Sequence, residues 1–147
     1  MRVLWLLVST VCISLTGCGG EPSFEMVPVS GIVTMDGEPL AGATVTFLPK
    51  SSGDMNAGPA SLGETDAAGQ FTLKTGEGEP GAVVASHQVM ITTVKDSGTS
   101  TADDNVYAEA EPEKVPPRYN SETGLNFVVP TSGSTDANFE LTSDREQ

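Results

Sequence analysis

Cysteine is nearly missing from this 147-residue chain, which has only Cys12 and Cys18. Neither lies in the body of the sequence, so that body has no disulfide, no thiol nucleophile and no cysteine ligand for zinc. Histidine occurs once, as His87, which excludes multi-histidine metal sites and leaves little for acid–base chemistry. Basic side chains are scarce: seven Lys and Arg stand against twenty Asp and Glu, a formal charge of −13. So acidic a surface offers no basic footprint for nucleic acid or for direct adhesion to anionic headgroups. No apolar run reaches the ~20 residues of a membrane-spanning helix. A convincing helical period is absent as well.

What is present begins at the N-terminus. Arg2 is followed by an almost unbroken apolar stretch from Val3 to Leu15, then by small residues leading to Cys18. Charged, apolar and small-residue parts in that order make a secretory signal peptide. The run Leu15-Thr16-Gly17-Cys18 resembles the lipobox of bacterial lipoproteins. The resemblance implies that Leu15, Thr16 and Gly17 are read by the signal peptidase and that Cys18 becomes the first residue. Cys18 would carry a thioether-linked diacylglycerol and an N-acyl chain, making a membrane the partner of this end. Each buried methylene contributes ~0.8 kcal/mol, and two or more chains anchor stably where one does not. Residues 1–17 are then signal and residues 18–26 a lipidated tether with a span of ~15–18 Å. Cys12 leaves with the signal. The mature chain keeps six basic and twenty acidic side chains, a charge of −14. Gly19 and Gly20 stand where an aspartate would resemble an inner-membrane retention signal, so the outer membrane of a cell envelope is favoured.

The remaining length is that of one domain, large enough for a single core. Val27 to Met35 reads as a β-branched strand, and Asp36-Gly37 is the strongest turn signal in the chain. Ala43 to Phe47 alternates small or apolar residues with threonine, as a half-buried strand does. Pro49 to Pro59 is a loop by composition. Thr65 to Gly69 makes a turn into the alternating stretch Gln70 to Lys74, and Gly76 to Gly81 is a turn-rich connector. His87 to Val94 is the longest strand candidate, with His87, Val89 and Ile91 on one face. Asp96 to Pro117 is acidic and poor in large apolar residues, a long surface loop. Leu125 to Val129 and Ala137 to Leu141 close the domain, with Phe127, Phe139 and Leu141 facing inward. The expected fold is all-β: one antiparallel sandwich of about seven strands over residues 27–142, with a frayed tail at 143–147. Its core would comprise Val45, Phe47, Phe71, Leu73, Val89, Ile91, Leu125, Phe127 and Phe139.

Val29-Ser30-Gly31-Ile32-Val33 and the run Asp36 to Phe47, with Gly63 to Leu73 and Gly81 to Ile91, resemble carboxypeptidase regulatory-like domains. These are transthyretin-like (prealbumin-like) β-sandwiches. The stretch Val115-Pro116-Pro117-Arg118-Tyr119, with Ser121 to Val129, resembles small bacterial lipoproteins that carry such a domain alone. These are turn and core residues, so the resemblance implies a fold and says little about function. Gly31 permits a close backbone approach or a bulge in the first strand. His87 departs from the pattern, standing where these domains often carry an aromatic.

The chemistry expected from these residues is sparse. A lone histidine in a strand is most often a packed side chain. Hydroxyisourate hydrolases share the transthyretin-like fold, but resemblance to them requires several histidines and a C-terminal Tyr-Arg-Gly-Ser, and neither is present. A metallocarboxypeptidase catalytic domain has no room here, and an isopeptide-forming lysine is missing from Val27 to Met35. Asp96, Asp103, Asp104, Glu109, Glu111 and Glu113 would suit calcium as hard oxygen ligands, yet they lack a binding-loop spacing, and a charged loop is usually only solvated. Tyr107 and Tyr119 flank that region as packing or contact residues. The expectation is therefore a non-enzymatic binding or structural module with no catalytic residues, metal or cofactor. Its partner would be an envelope protein or glycan. A transthyretin-like hydrolase or a calcium-dependent binding domain is the alternative.

Overall fold

The computed structural model describes residues 24–51, 57–95 and 112–143. The expectations for the signal peptide, Leu15, Thr16, Gly17, Cys18 and most of the tether lie outside the described residues. So do those for Asp96, Asp103, Asp104, Tyr107, Glu109 and Glu111 and for the last four residues. The described chain is all-β. Its strands are β1 (Met26–Val27), β2 (Ser30–Met35), β3 (Glu38–Pro39), β4 (Thr44–Pro49), β5 (Ser61–Glu64), β6 (Gln70–Thr72), β7 (Lys74–Thr75), β8 (Ala82–Val83), β9 (Ser86–Thr92), β10 (Asn126–Val128) and β11 (Phe139–Leu141). A single 3-10 turn, Pro117–Tyr119, is the one helical element described.

One sheet has the order β10-β9-β4-β5-β7, and β11-β2-β3 lies opposite it with β6 also on β2. β1 pairs β8 separately. The expected first strand is thus interrupted at Pro28, whose nitrogen cannot donate to a ladder. The expected strand Gln70 to Lys74 is likewise broken at Leu73: β6 pairs β2, whereas β7 pairs β5. Leu73 carries the chain from one sheet to the other, donating to Val29 O and accepting from Gly81 N.

Asp36 (φ 51°) and Gly37 (φ 86°) form the two-residue turn between β2 and β3, the left-handed pair that a tight hairpin needs. In the second expected turn, Asp66 Oδ1 accepts from the N–H groups of Ala68 and Gln70 at 2.8 and 2.9 Å. The pairings are antiparallel except that β11 runs parallel to β2, as does the bridge between Val29 and Ser134 just ahead of them. The reason lies in the crossing. β10 finishes at the end where β2 starts, Ser134 is bound there to Pro28 and Ser30, and the chain then follows β2 in its own direction. Gly31 makes this possible, because the backbone of Ala137 passes where a Cβ would stand.

The inner faces of the two sheets meet over four phenylalanines. Phe47 on β4 lies 5.6 Å from Phe127 and 6.1 Å from Phe139, and Phe139 stacks on Phe71 at 6.3 Å. Val45, Leu73, Val89 and Ile91 are fully buried, as expected, while Leu125 and Phe127 are half-buried at the margin. Val29, Val33, Val115 and Val129 also belong to the core.

The strands define two ends. β2, β5, β9 and β11 start, and β4, β6 and β10 finish, at the end where β1 brings the chain in. This entry end carries residues 57–60, 76–81 and 130–136. The opposite end carries the Asp36-Gly37 turn, the Asp66 turn, Lys95, Pro112 and Ser143.

Candidate functional site

His87 is the one histidine, and β9 turns it inward with Val89 and Ile91. It is fully buried, 5.5 Å from the Phe47 ring and paired across the ladder with Phe127. Nδ1 lies 3.1 Å from the carbonyl of Ala85, while Nε2 has no partner among the described residues. Burial disfavours the charged ring and pushes its pKa below 6.5, with the Ala85 carbonyl opposing in part.

The lowered pKa gives a signed prediction. Above pH 6.5 the ring is neutral in both states. Below it, the unfolded chain takes the proton first, so stability falls until the lower folded-state pKa is passed. His87→Phe removes that loss and the unpartnered nitrogen. The Ala85 carbonyl keeps its bond from Val129 N. Urea midpoints should show the variant about 1 kcal/mol more stable at pH 7.5, with the gap widening at pH 5.5. A constant gap across that range would contradict the buried neutral ring.

Glu113 is the one member of the acidic run whose position is described. Its carboxylate accepts from the Thr92 hydroxyl, from the Thr93 hydroxyl at 2.6 Å, and from the N–H groups of Thr93 and Val115 at 2.9 and 3.0 Å. Partial burial pushes the carboxyl up, but these bonds outweigh it and hold the pKa down to about 2. Glu113 therefore fastens the chain after the acidic run to the end of β9. Its oxygens are committed to the fold rather than turned toward a cation.

The stabilisation from this depressed pKa is complete above pH 4.5 and is lost as pH falls through about 2. Glu113→Gln should cost about 1 kcal/mol at pH 7, a figure discounted for the exposure of the group. Denaturant midpoints of the two proteins should converge toward pH 2.

The same end is closed by Tyr119, Arg118 and Asp36. The Arg118 guanidinium lies 4.8 Å over the Tyr119 ring and donates to the Thr142 carbonyl and hydroxyl. Asp36 accepts from Ser143 N and Oγ at 3.1 and 2.6 Å. Tyr119 thus packs and anchors the C-terminal strand.

Between β2, β6 and β5 lies an open cleft of about 870 Å³, with Ile32, Leu62, Gln70, Thr72 and Lys74 on its walls. Ile32 and Leu62 are 40% and 39% exposed. Of its carboxylates, Glu64 pairs with Lys95 at 2.7 Å and Asp66 is held by its own turn. The cleft can offer side-chain hydrogen bonds and two apolar contacts to an extended ligand. Sequence reasoning did not foresee it, because Leu62 lies on a strand whose inward residues are Ser61 and Gly63.

Among the described residues no group of three His, Cys, Asp or Glu side chains could hold a metal ion. No helix among them is long and apolar enough to cross a membrane. Residues and geometry together define an all-β protein with largely antiparallel pairing and a sealed histidine. Comparison with protein-family models, with curated proteins and with solved structures returns no match.

Proposed function

We propose that this chain is a lipid-anchored lipoprotein of a bacterial cell envelope, with the outer membrane favoured. Its folded part is a non-enzymatic sandwich of the transthyretin-like, carboxypeptidase regulatory-like kind that binds or supports an envelope protein or glycan. The observation that carries the reading is the run Leu15-Thr16-Gly17-Cys18 after an acid-free apolar segment. The three acyl chains of a diacylglycerol and an N-acyl group on Cys18 would hold a mature chain of charge −14 at a surface for which it has no basic footprint. The burial of His87 behind Phe47 supports a role without acid–base catalysis.

The test is fractionation of cells expressing the tagged chain and its Cys18→Ala variant. The parent chain should sediment with membranes and enter a detergent phase. Cys18→Ala should abolish signal processing at this site and leave the precursor. An unanchored parent chain, or a variant processed and fractionated as the parent is, would overturn the lipid reading.

A further inference from the structure

The point where the chain enters the domain carries an inference about how the domain faces a membrane. β1 is fixed against β8, with Val84 N donating to the Glu25 carbonyl at 2.9 Å. The Phe24 ring is seated against Gly58, where an added Cβ would come within 3.0 Å of it and of Val83. The fold therefore holds the chain from Phe24 onward. Phe24 lies six residues beyond Cys18, a connection that reaches ~20 Å at full extension. β9, which runs from the entry end to the opposite one, has seven residues and by itself spans about 20 Å. The leash is no longer than the strands, so the entry end stays within ~20 Å of the surface to which Cys18 is bound.

We propose that the entry end, presenting Glu77 and Glu79 on one loop and Thr131 and Ser132 on another, is the membrane-proximal face. The opposite end, with the Asp36-Gly37 turn and the Asp66 turn, is held outward from it. This inference rests on acylation of Cys18 and adds an orientation to it.

The experiment uses the full chain, processed and purified in detergent. Cys12 leaves with the signal and Cys18 is consumed by lipid, so one engineered thiol is the unique site for a donor dye. Glu77→Cys and Thr131→Cys report on the entry end, and Glu38→Cys and Ala67→Cys, the latter in the exposed Asp66 turn, on the opposite end. Each is reconstituted into phosphatidylethanolamine–phosphatidylglycerol vesicles with an acceptor on the headgroup. Energy transfer from positions 77 and 131 should exceed that from 38 and 67 at least two-fold. Equal or reversed transfer in acylated protein overturns the orientation and leaves the anchor standing. Unmodified Cys18, read by mass spectrometry of the same samples, removes both.

Discussion

Gly31→Ala is expected to cost roughly 3 kcal/mol or more and to leave little native protein. A Cβ at this position would lie 2.0 Å from the Ala137 carbonyl oxygen and 2.4 Å from its carbon. Both are backbone atoms, and neither can swing aside as a side chain would. Ala137 N donates to Ser30 O at 3.1 Å, and Asn138 Oδ1 accepts from Ile32 N at 2.9 Å. Relief therefore requires β11 to lift from β2, giving up the Phe139–Val33 register and the burial of Phe139 and Leu141. Gly76 is the control, because nothing lies within 4 Å of its would-be Cβ. Gly76→Ala should stay within about 0.5 kcal/mol of the parent. Urea unfolding followed by far-ultraviolet circular dichroism reads both, and a parent-like midpoint for Gly31→Ala would contradict the close crossing.

Phe47→Ala is expected to cost about 3–5 kcal/mol, the range for removing a fully buried aromatic. Phe47 is completely buried and stands between the sheets, within 6.1 Å of the rings of His87, Phe127 and Phe139. Truncation leaves a cavity bordered by three rings that belong to three different strands, so collapse around it is restricted. Phe47→Leu keeps most of the apolar volume and should cost about 1–1.5 kcal/mol. The cavity also opens a route for water to His87 Nε2. The pH-dependent loss attributed to His87 should therefore shrink in Phe47→Ala. A loss below about 1 kcal/mol would mean that the sheets are held together elsewhere.

Alternation and turn chemistry made part of this fold legible in advance. Val89 and Ile91 follow His87 at a period of two, and all three prove to be buried on one face. Asp36-Gly37 and Asp66 announced turns because their side chains or backbone angles are needed there. Alternation gives a face but not a neighbour, and the misses follow from that. β5 was not foreseen, since it buries Ser61 and Gly63 and exposes Leu62, the reverse of an apolar-in pattern. Gly63 is inward because an added Cβ would meet the Thr72 carbonyl at 2.6 Å. Nothing local marks Leu73 as the place where the chain changes sheets. The parallel direction of β11 depends on a crossing between Ser134 and Pro28, far apart in sequence.

The side chains of functional interest were legible unevenly. The proposal for Cys18 rests on the consecutive residues Leu15 to Cys18 and needs no tertiary contact. Glu113 looked like one more acid in a solvated run. Its role depends on Thr92 and Thr93, which meet it only after folding. The cleft beside Ile32 and Leu62 is a product of how β2, β6 and β5 meet, so no local pattern could announce it.

The most direct measurement on the central claim is the intact mass of the mature N-terminal peptide, isolated from membranes of cells expressing the unmodified chain. The peptide should begin at Cys18 and carry a diacylglycerol thioether with an N-linked acyl chain, and metabolic labelling with an alkynyl fatty acid should mark it. A mature chain that begins elsewhere, or a Cys18 without lipid, would contradict the anchored module.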